Sequence, residues 1–264
     1  MQRATTPTPD SSALPRLCSH PSPISANTAP RRDRGLACVA VAALSWTLLF
    51  GCRRSGSVAS GVDPLSPPAP DAVLRGILDR QHIGVDLETD RGVVHCIVDA
   101  ARAPNGAALF VGFATGRAAY RDPRTSAVVR RPLYARRRFF RAIPDVYVQT
   151  GCPLDDGTGD PGYRIAPEPQ PDDAARLREP GALLFARYTP PRGRVDPSPP
   201  EPGKTIGSQF VITLVDMHHL AGTVTVLGSC TDLNVVREIA EAVGRHDPPE
   251  LSRVTVRGEG AVNQ

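Results

Sequence analysis

Phe139 to Ile165 of this chain read FFRAIPDVYVQTGCPLDDGTGDPGYRI, a strand-forming run that gives way to a glycine-rich loop. Ile143, Val146 and Val148, with Phe139 and Phe140, favour a pleated strand. Arg141 and Gln149 lie eight residues apart, and on a regular strand an even spacing puts both side chains on one face. A charged donor and a neutral amide on one face mark it as the face that meets a ligand.

Three further blocks follow the same logic. GALLFAR (Gly181–Arg187) and GSQFVITLVDMHHLAGTVTVLG (Gly207–Gly228) lie downstream, and VDLETDRGVVHCIVDAARAPNGAALFVGFA (Val85–Ala114) lies upstream. Taken in order, the four blocks resemble the cyclophilins, from about Val85 to about Arg257. The resemblance implies a mainly β fold, an eight-stranded antiparallel barrel capped by two helices. The residues agree: strands are short and broken by Gly, Pro and Asp, as in an antiparallel barrel and not in alternating βαβ units. Val73–Leu78 read as a lead-in, Gly84–Thr89 as the first strand, and Arg91-Gly92 as the turn before Val93–Val98. Ala103–Ala114 is assigned as helix on the resemblance, because Gly106 and Gly112 weaken it on propensity. Leu233–Val243 carries an apolar stripe of Leu233, Val236, Ile239, Ala240 and Val243, with Asp232 as N-cap and Gly244 after the end. Ser252–Arg257 closes the barrel.

The resemblance also implies a reaction, isomerisation of the peptide bond before proline. That bond turns slowly, because amide resonance sets a barrier of about 20 kcal/mol. Neither nucleophile, metal nor cofactor is needed, only a donor that draws the nitrogen lone pair out of resonance and a pocket that holds the ring. Arg141 falls at the family's catalytic arginine, and a guanidinium suits the task because it presents several fixed donors. Gln149 is expected to hold a substrate carbonyl or to orient Arg141. Gln209 matches a third polar position, Ala186 the backbone-binding edge and Leu220 the pocket wall. Several positions depart from the family. Val146 and Tyr147 stand for phenylalanine and methionine, Val211 for the phenylalanine of the pocket floor, Arg187 for an asparagine and Val224 for a histidine. His219 stands where some members carry tryptophan. The pair His218-His219 is not read as a metal site, since adjacent strand residues point to opposite faces. The proline-rich loop Thr189–Gly203 is longer than the family connection and reads as a surface insertion or a cover for the groove.

Composition bounds the rest. The chain has 264 residues, 28 of them proline, and a net charge of +4. Residues 1–80 hold little periodic apolar sequence, which leaves one globular domain of about 175 residues. So small a net charge gives no case for nucleic-acid binding. Arg130, Arg131, Arg136, Arg137, Arg138 and Arg141 cluster, and read as a solvated loop or, alternatively, as a patch for an anionic partner. None of the six cysteines shows the Cys-x-x-Cys spacing of a zinc or redox motif. Cys96 and Cys230 read as small buried residues. A disulfide between two of Cys96, Cys152 and Cys230 is the alternative.

GLACVAVAALSWTLLFG (Gly35–Gly51) follows Arg31, Arg32 and Arg34 in the layout of an export signal. It ends in Leu49-Phe50-Gly51-Cys52, which resembles a bacterial lipobox with Cys52 as the lipidated residue. The expected organisation is a disordered N-terminus and export signal over 1–51, a flexible tether over 52–72, the domain over 73–258 and a tail over 259–264. Arg53 replaces the aspartate that retains some lipoproteins in the inner membrane, which favours the outer membrane. The expectation is a monomeric, lipid-anchored isomerase in the bacterial cell envelope, facing the periplasm and acting on proline-containing segments of exported proteins. The alternative is a catalytically weak peptide-binding or chaperone module on the same fold.

Overall fold

The structure, a computed structural model, describes residues 65–187 and 203–257. The expected signal, Cys52, most of the tether and of the 189–203 insertion, and the tail lie outside the described residues. The chain enters with helix α1 (Ala72–Leu78), capped by the Asp71 carboxylate accepting from the Leu74 N–H at 2.8 Å. The expected lead-in is therefore helical. A hairpin follows, of β1 (His82–Thr89) and β2 (Gly92–Asp99), with Thr89 opposite Gly92. Its turn is Asp90-Arg91, one residue earlier than expected. Gly92 is itself the first strand residue, at φ 131°, a conformation that glycine adopts without steric penalty.

Helix α2 (Pro104–Thr115) comes next and is apolar nearly all round, with Leu109, Phe110, Val111 and Phe113 buried. That burial offsets the poor propensity of its two glycines. Short strands β3 (Tyr120–Arg121) and β4 (Val128–Val129) pair with each other. The remaining strands are β5 (Arg137–Arg138), β6 (Arg141–Ile143), β7 (Tyr147–Thr150), β8 (Ala182–Arg187), β9 (Ile206–Thr213), β10 (Val226–Cys230) and β11 (Glu250–Val256). Helix α3 (Asp173–Arg176) precedes β8, and α4 (Leu233–Gly244) precedes β11.

The main sheet runs β5-β11-β1-β2-β10-β8-β9-β7-β6, antiparallel throughout. Its two edges, β5 and β6, are separated only by Phe139 and Phe140. At this break Phe139 N–H donates to Pro249 O at 3.0 Å on one side. On the other, Arg138 O accepts from Thr150 Oγ1 at 2.9 Å. Counted as one bent strand, β5 and β6 close the sheet on itself and give the expected eight. The bend also puts a fully buried Phe139 into the core.

Inside, Phe110, Tyr134 and Phe210 pack with ring centroids 5.2 Å apart in each pairing, close to the edge-on contacts that aromatic quadrupoles favour. A second, smaller apolar cluster, of Leu177, Ala182, Leu184, Val224 and Val226, lies apart from this core. Helix α4 buries Val236, Ile239 and Ala240 as the stripe requires, but Asp232 does not cap it. Asp232 stands at φ 60° and its carboxylate instead accepts from His95 N–H at 3.0 Å and Thr231 Oγ1 at 2.7 Å, tying the start of α4 to β2.

Cys96 and Cys230 are directly opposite on β2 and β10 and form a disulfide. Both are buried, as expected, but they are not free thiols. The pairing needs β10 laid beside β2, which no local sequence feature reveals. Among the described residues no helix is long and apolar enough to cross a membrane.

Candidate active site

Arg141 and Gln149 do not share a strand. Val146 N–H donates to Ile143 O at 3.0 Å, closing a turn over Pro144-Asp145 with Asp145 at φ 59°. The expected strand is thus a hairpin of β6 and β7, in which Arg141 lies directly opposite Gln149. Opposite residues of an antiparallel pair project from the same face, so the shared face survives although the reason for it changes.

The pairing continues. Gln149 is opposite Val211, Val211 opposite Leu184, and Leu184 opposite Val226. One row therefore crosses β6, β7, β9, β8 and β10, beginning with a cation, passing an amide and ending in aliphatic carbon. A cavity of about 280 Å³ lies over this row. Tyr147, Gln149, Ala186, Arg187, Val211, Leu220 and Val224 line it, all of them expected from sequence. So do Leu184, Phe185, Thr213, Met217 and Thr223, which the sequence reading missed. Alternation along β8 and β9 carried a signal for Leu184 and Thr213, each two residues from a recognised one. Met217 and Thr223 lie on irregular chain, where no period exists.

Three expected pocket residues do not line the cavity: Val146, His219 and Gln209, the last of which lines a small recess beside it. Val146 sits in the hairpin turn with its carbonyl held by Leu214 N–H at 2.7 Å. His219 is exposed on a 3-10 turn (His218–Leu220), so the strand argument applied to the His218-His219 pair does not hold. Arg141 stands at the head of the row and outside the lining. Its side chain is exposed and, among the described residues, has no hydrogen-bond or ion-pair partner.

Gln149 is held from behind. Gln209 Nε2 donates to Gly157 O at 3.0 Å and Gly159 O at 3.2 Å. Only an amide nitrogen can meet two carbonyls, so Gln209 Oε1 faces Gln149 and accepts from its Nε2 at 2.9 Å. This orientation leaves the Gln149 oxygen without a protein donor among the described residues. The carbonyls of residues 157 and 159 are fixed in turn by Cys152. Its buried free thiol sulfur accepts from Gly157 N–H and Gly159 N–H, both at 3.2 Å. Asp156 braces the same loop. Burial opposes its ionisation, but hydrogen bonds from Thr158 N–H and Oγ1 outweigh it and hold the carboxyl below its ordinary value. Gly151, at φ 83°, lets the chain leave β7 beneath Ser208 O, 2.5 Å from where a Cβ would sit.

Beneath the cavity, Leu177 is fully buried and its carbonyl accepts from Met217 N–H at 2.7 Å. Leu177 follows α3, which is fastened through Asp173, a buried carboxylate accepting from Gln170 N–H at 2.7 Å, and through an ion pair of Arg102 with Asp172. At the edge, β8 and β9 fall out of register between Phe185 and Arg187. Ala186 consequently has no ladder partner in the β8–β9 pairing.

The arginine cluster is largely occupied with local partners. Arg131 pairs with Asp122 at 2.8 Å, Arg137 with Asp155 at 3.1 Å and Arg136 with Glu250 at 3.7 Å, while Arg138 donates to Pro248 O at 3.0 Å. Four of the six arginines thus have local partners, as a solvated loop would supply.

The sequence model of the family described as cyclophilin type peptidyl-prolyl cis-trans isomerase/CLD matches residues 84–259. Among curated proteins, the chain is 31% identical over 152 residues to "Probable peptidyl-prolyl cis-trans isomerase A" of Mycobacterium leprae, covering 58% of this chain and 75% of that one. It is 30% identical over 157 residues to "Peptidyl-prolyl cis-trans isomerase B" of Streptomyces anulatus, covering 60% and 81%. Among solved structures it resembles in fold a cyclophilin-type isomerase of Cryptosporidium parvum, with TM-score 0.51 and 18% identity over 68% of this chain and 99% of that one.

Proposed function

The chain belongs to the cyclophilin-type peptidyl-prolyl cis-trans isomerase family, and from that premise we propose that it isomerises X-Pro bonds of exported proteins while tethered to the cell envelope. The observation that carries the catalytic reading is the row Arg141, Gln149, Val211, Leu184, Val226, with its cavity. The apolar end takes the prolyl ring. The Ala186 backbone aligns the substrate strand, and the Gln149 oxygen accepts from a substrate N–H or from Arg141. The Arg141 guanidinium donates to the prolyl nitrogen as it pyramidalises, lowering the barrier where amide conjugation is lost.

Purified full-length chain should accelerate exchange of an Ala-Pro peptide, measured by NMR, and Arg141→Ala should lower kcat/KM by about 100-fold, as loss of one transition-state donor does. No acceleration by a folded wild-type protein would sink this reading. The second reading, a weakly catalytic peptide-binding module, draws on Val211 and Val224, which give the ring less surface than aromatic walls. It predicts that Arg141→Ala leaves both the slow exchange and peptide affinity unaltered.

The envelope location draws on the signal-like Gly35–Gly51, the lipobox-like Leu49–Cys52 and the Cys96–Cys230 disulfide, since such bonds persist in oxidising compartments. Cys52 carries the acyl chains in this reading, the outer membrane is the preferred destination, and the domain acts as a monomer. Cys52→Ser should abolish incorporation of labelled fatty acid and release the protein from the membrane fraction. Continued labelling of that variant would overturn the anchor.

A further inference from the structure

We propose that Arg187 makes this site selective for proline segments carrying an acidic side chain within two residues of the proline. The inference rests on the peptide-isomerase reading above and adds a substrate class to it. Arg187 ends β8, is exposed, and lines both the main cavity and a small adjoining recess formed by Gly159, Asp160, Pro161, Gly207, Ser208 and Gln209. Among the described residues it has no ion-pair partner. Arg141, at the head of the row that runs under the cavity, has none either.

Among the described residues, no carboxylate pairs with either of these two cations. No Asp or Glu is among the described residues lining the main cavity. Asp160, in the recess, accepts from Arg164 Nε at 2.7 Å and from Gly162 N–H at 2.7 Å, so its charge is already matched. Asp216, next to Val215, is occupied by His218 N–H and Nδ1 at 2.9 and 2.7 Å. An extended peptide laid along the end of β8 advances about 3.3 Å per residue, and a long arginine side chain spans two such steps. The site thus offers an apolar floor for the ring and a rim whose positive charge is unpaired among the described residues. Such a rim favours a complementary negative charge and disfavours a positive one.

The test uses the full chain and N-acetylated, C-amidated peptides, so that any carboxylate belongs to a side chain. Glu, Gln or Lys is placed two residues before, one before or one after a single proline. NMR exchange gives kcat/KM for each, and titration gives affinity even where exchange is not accelerated. At one position or more, Glu should exceed Gln and Gln exceed Lys, each by about two- to fivefold, the range an exposed pair supports. The preference should shrink as salt rises from about 0.02 to 0.5 M. It should flatten in Arg187→Asn and reverse in Arg187→Glu. Equal handling of all three peptides at every position, or a preference that Arg187→Glu leaves in place, overturns the proposal. An Ala-Pro peptide run alongside separates the two claims: its failure to isomerise counts against the catalytic reading, whereas normal Ala-Pro turnover without charge preference counts against Arg187 alone.

Discussion

Gln149 shows how one functional side chain depends on the residues that hold it. Two loop carbonyls fix the Gln209 amide, Gln209 fixes Gln149, and the Gln149 oxygen is left facing outward. Gln209→Leu keeps the volume but removes the chain, freeing Gln149 to rotate. We expect kcat/KM to fall about tenfold, the worth of one well-placed hydrogen bond, with kcat falling more than KM rises. Steady-state NMR exchange kinetics check it, and rescue of activity in Gln209→Asn is not expected because the shorter amide cannot span both neighbours. The types at 141, 149 and 209 were legible from sequence, as was the aliphatic character of Val211 and Val224. The direction in which the Gln149 amide faces was not, because it is set by the backbone carbonyls of Gly157 and Gly159, a group that every residue type carries.

At the scale of the element, the β6–β7 hairpin is the most instructive. Strand propensity at Phe139–Val148 suggested one continuous strand, and Pro144-Asp145 overrode it. Proline cannot donate to a ladder, and Asp145 adopts the left-handed conformation that short polar side chains tolerate. Asp145→Val should therefore destabilise the protein by about 1–2 kcal/mol, the cost of a branched residue in that region. Urea unfolding measures it, with activity falling in parallel if the Arg141–Gln149 pairing loosens. A stability equal to wild type would show that the turn adopts another shape. Asp232 teaches the converse. Its position before an amphipathic run matched an N-cap, yet a stronger local demand, the unpaired His95 N–H on β2, claims the carboxylate.

For the whole molecule, the disulfide and the surface carboxylates make separate predictions. The Cys96–Cys230 bond joins residues 134 apart in sequence. Removing it as Cys96→Ala with Cys230→Ala should lower stability by about 2–4 kcal/mol, through the entropy restored to the unfolded chain, as read by urea unfolding. Asp71, Asp216 and Asp232 are held below the ordinary carboxylate range chiefly by backbone N–H donors, and Glu88 and Asp172 chiefly by the Arg253 and Arg102 guanidiniums. Each folded-state value lies below the unfolded one, so the unfolded chain binds more protons on acidification. The stability they contribute is full above about pH 5 and is lost as pH falls through the unfolded and then the folded values. Urea midpoints should hold steady from about pH 7 to 5 and then decline, and a midpoint rising below pH 4 would contradict this. The sequence by itself determined the family, the mainly β antiparallel class, the two longest helices and the identities of most groups around the site. These follow from residue chemistry and spacing, which are written locally along the chain. Only the tertiary structure decided the hairpin that sets Arg141 opposite Gln149, the row continuing through Val211 and Leu184, the disulfide and the lack of an ion-pair partner for Arg187 among the described residues. Each of these depends on the register between strands remote in sequence, or on which neighbours fail to arrive, and such distances exist only after the chain has closed on itself.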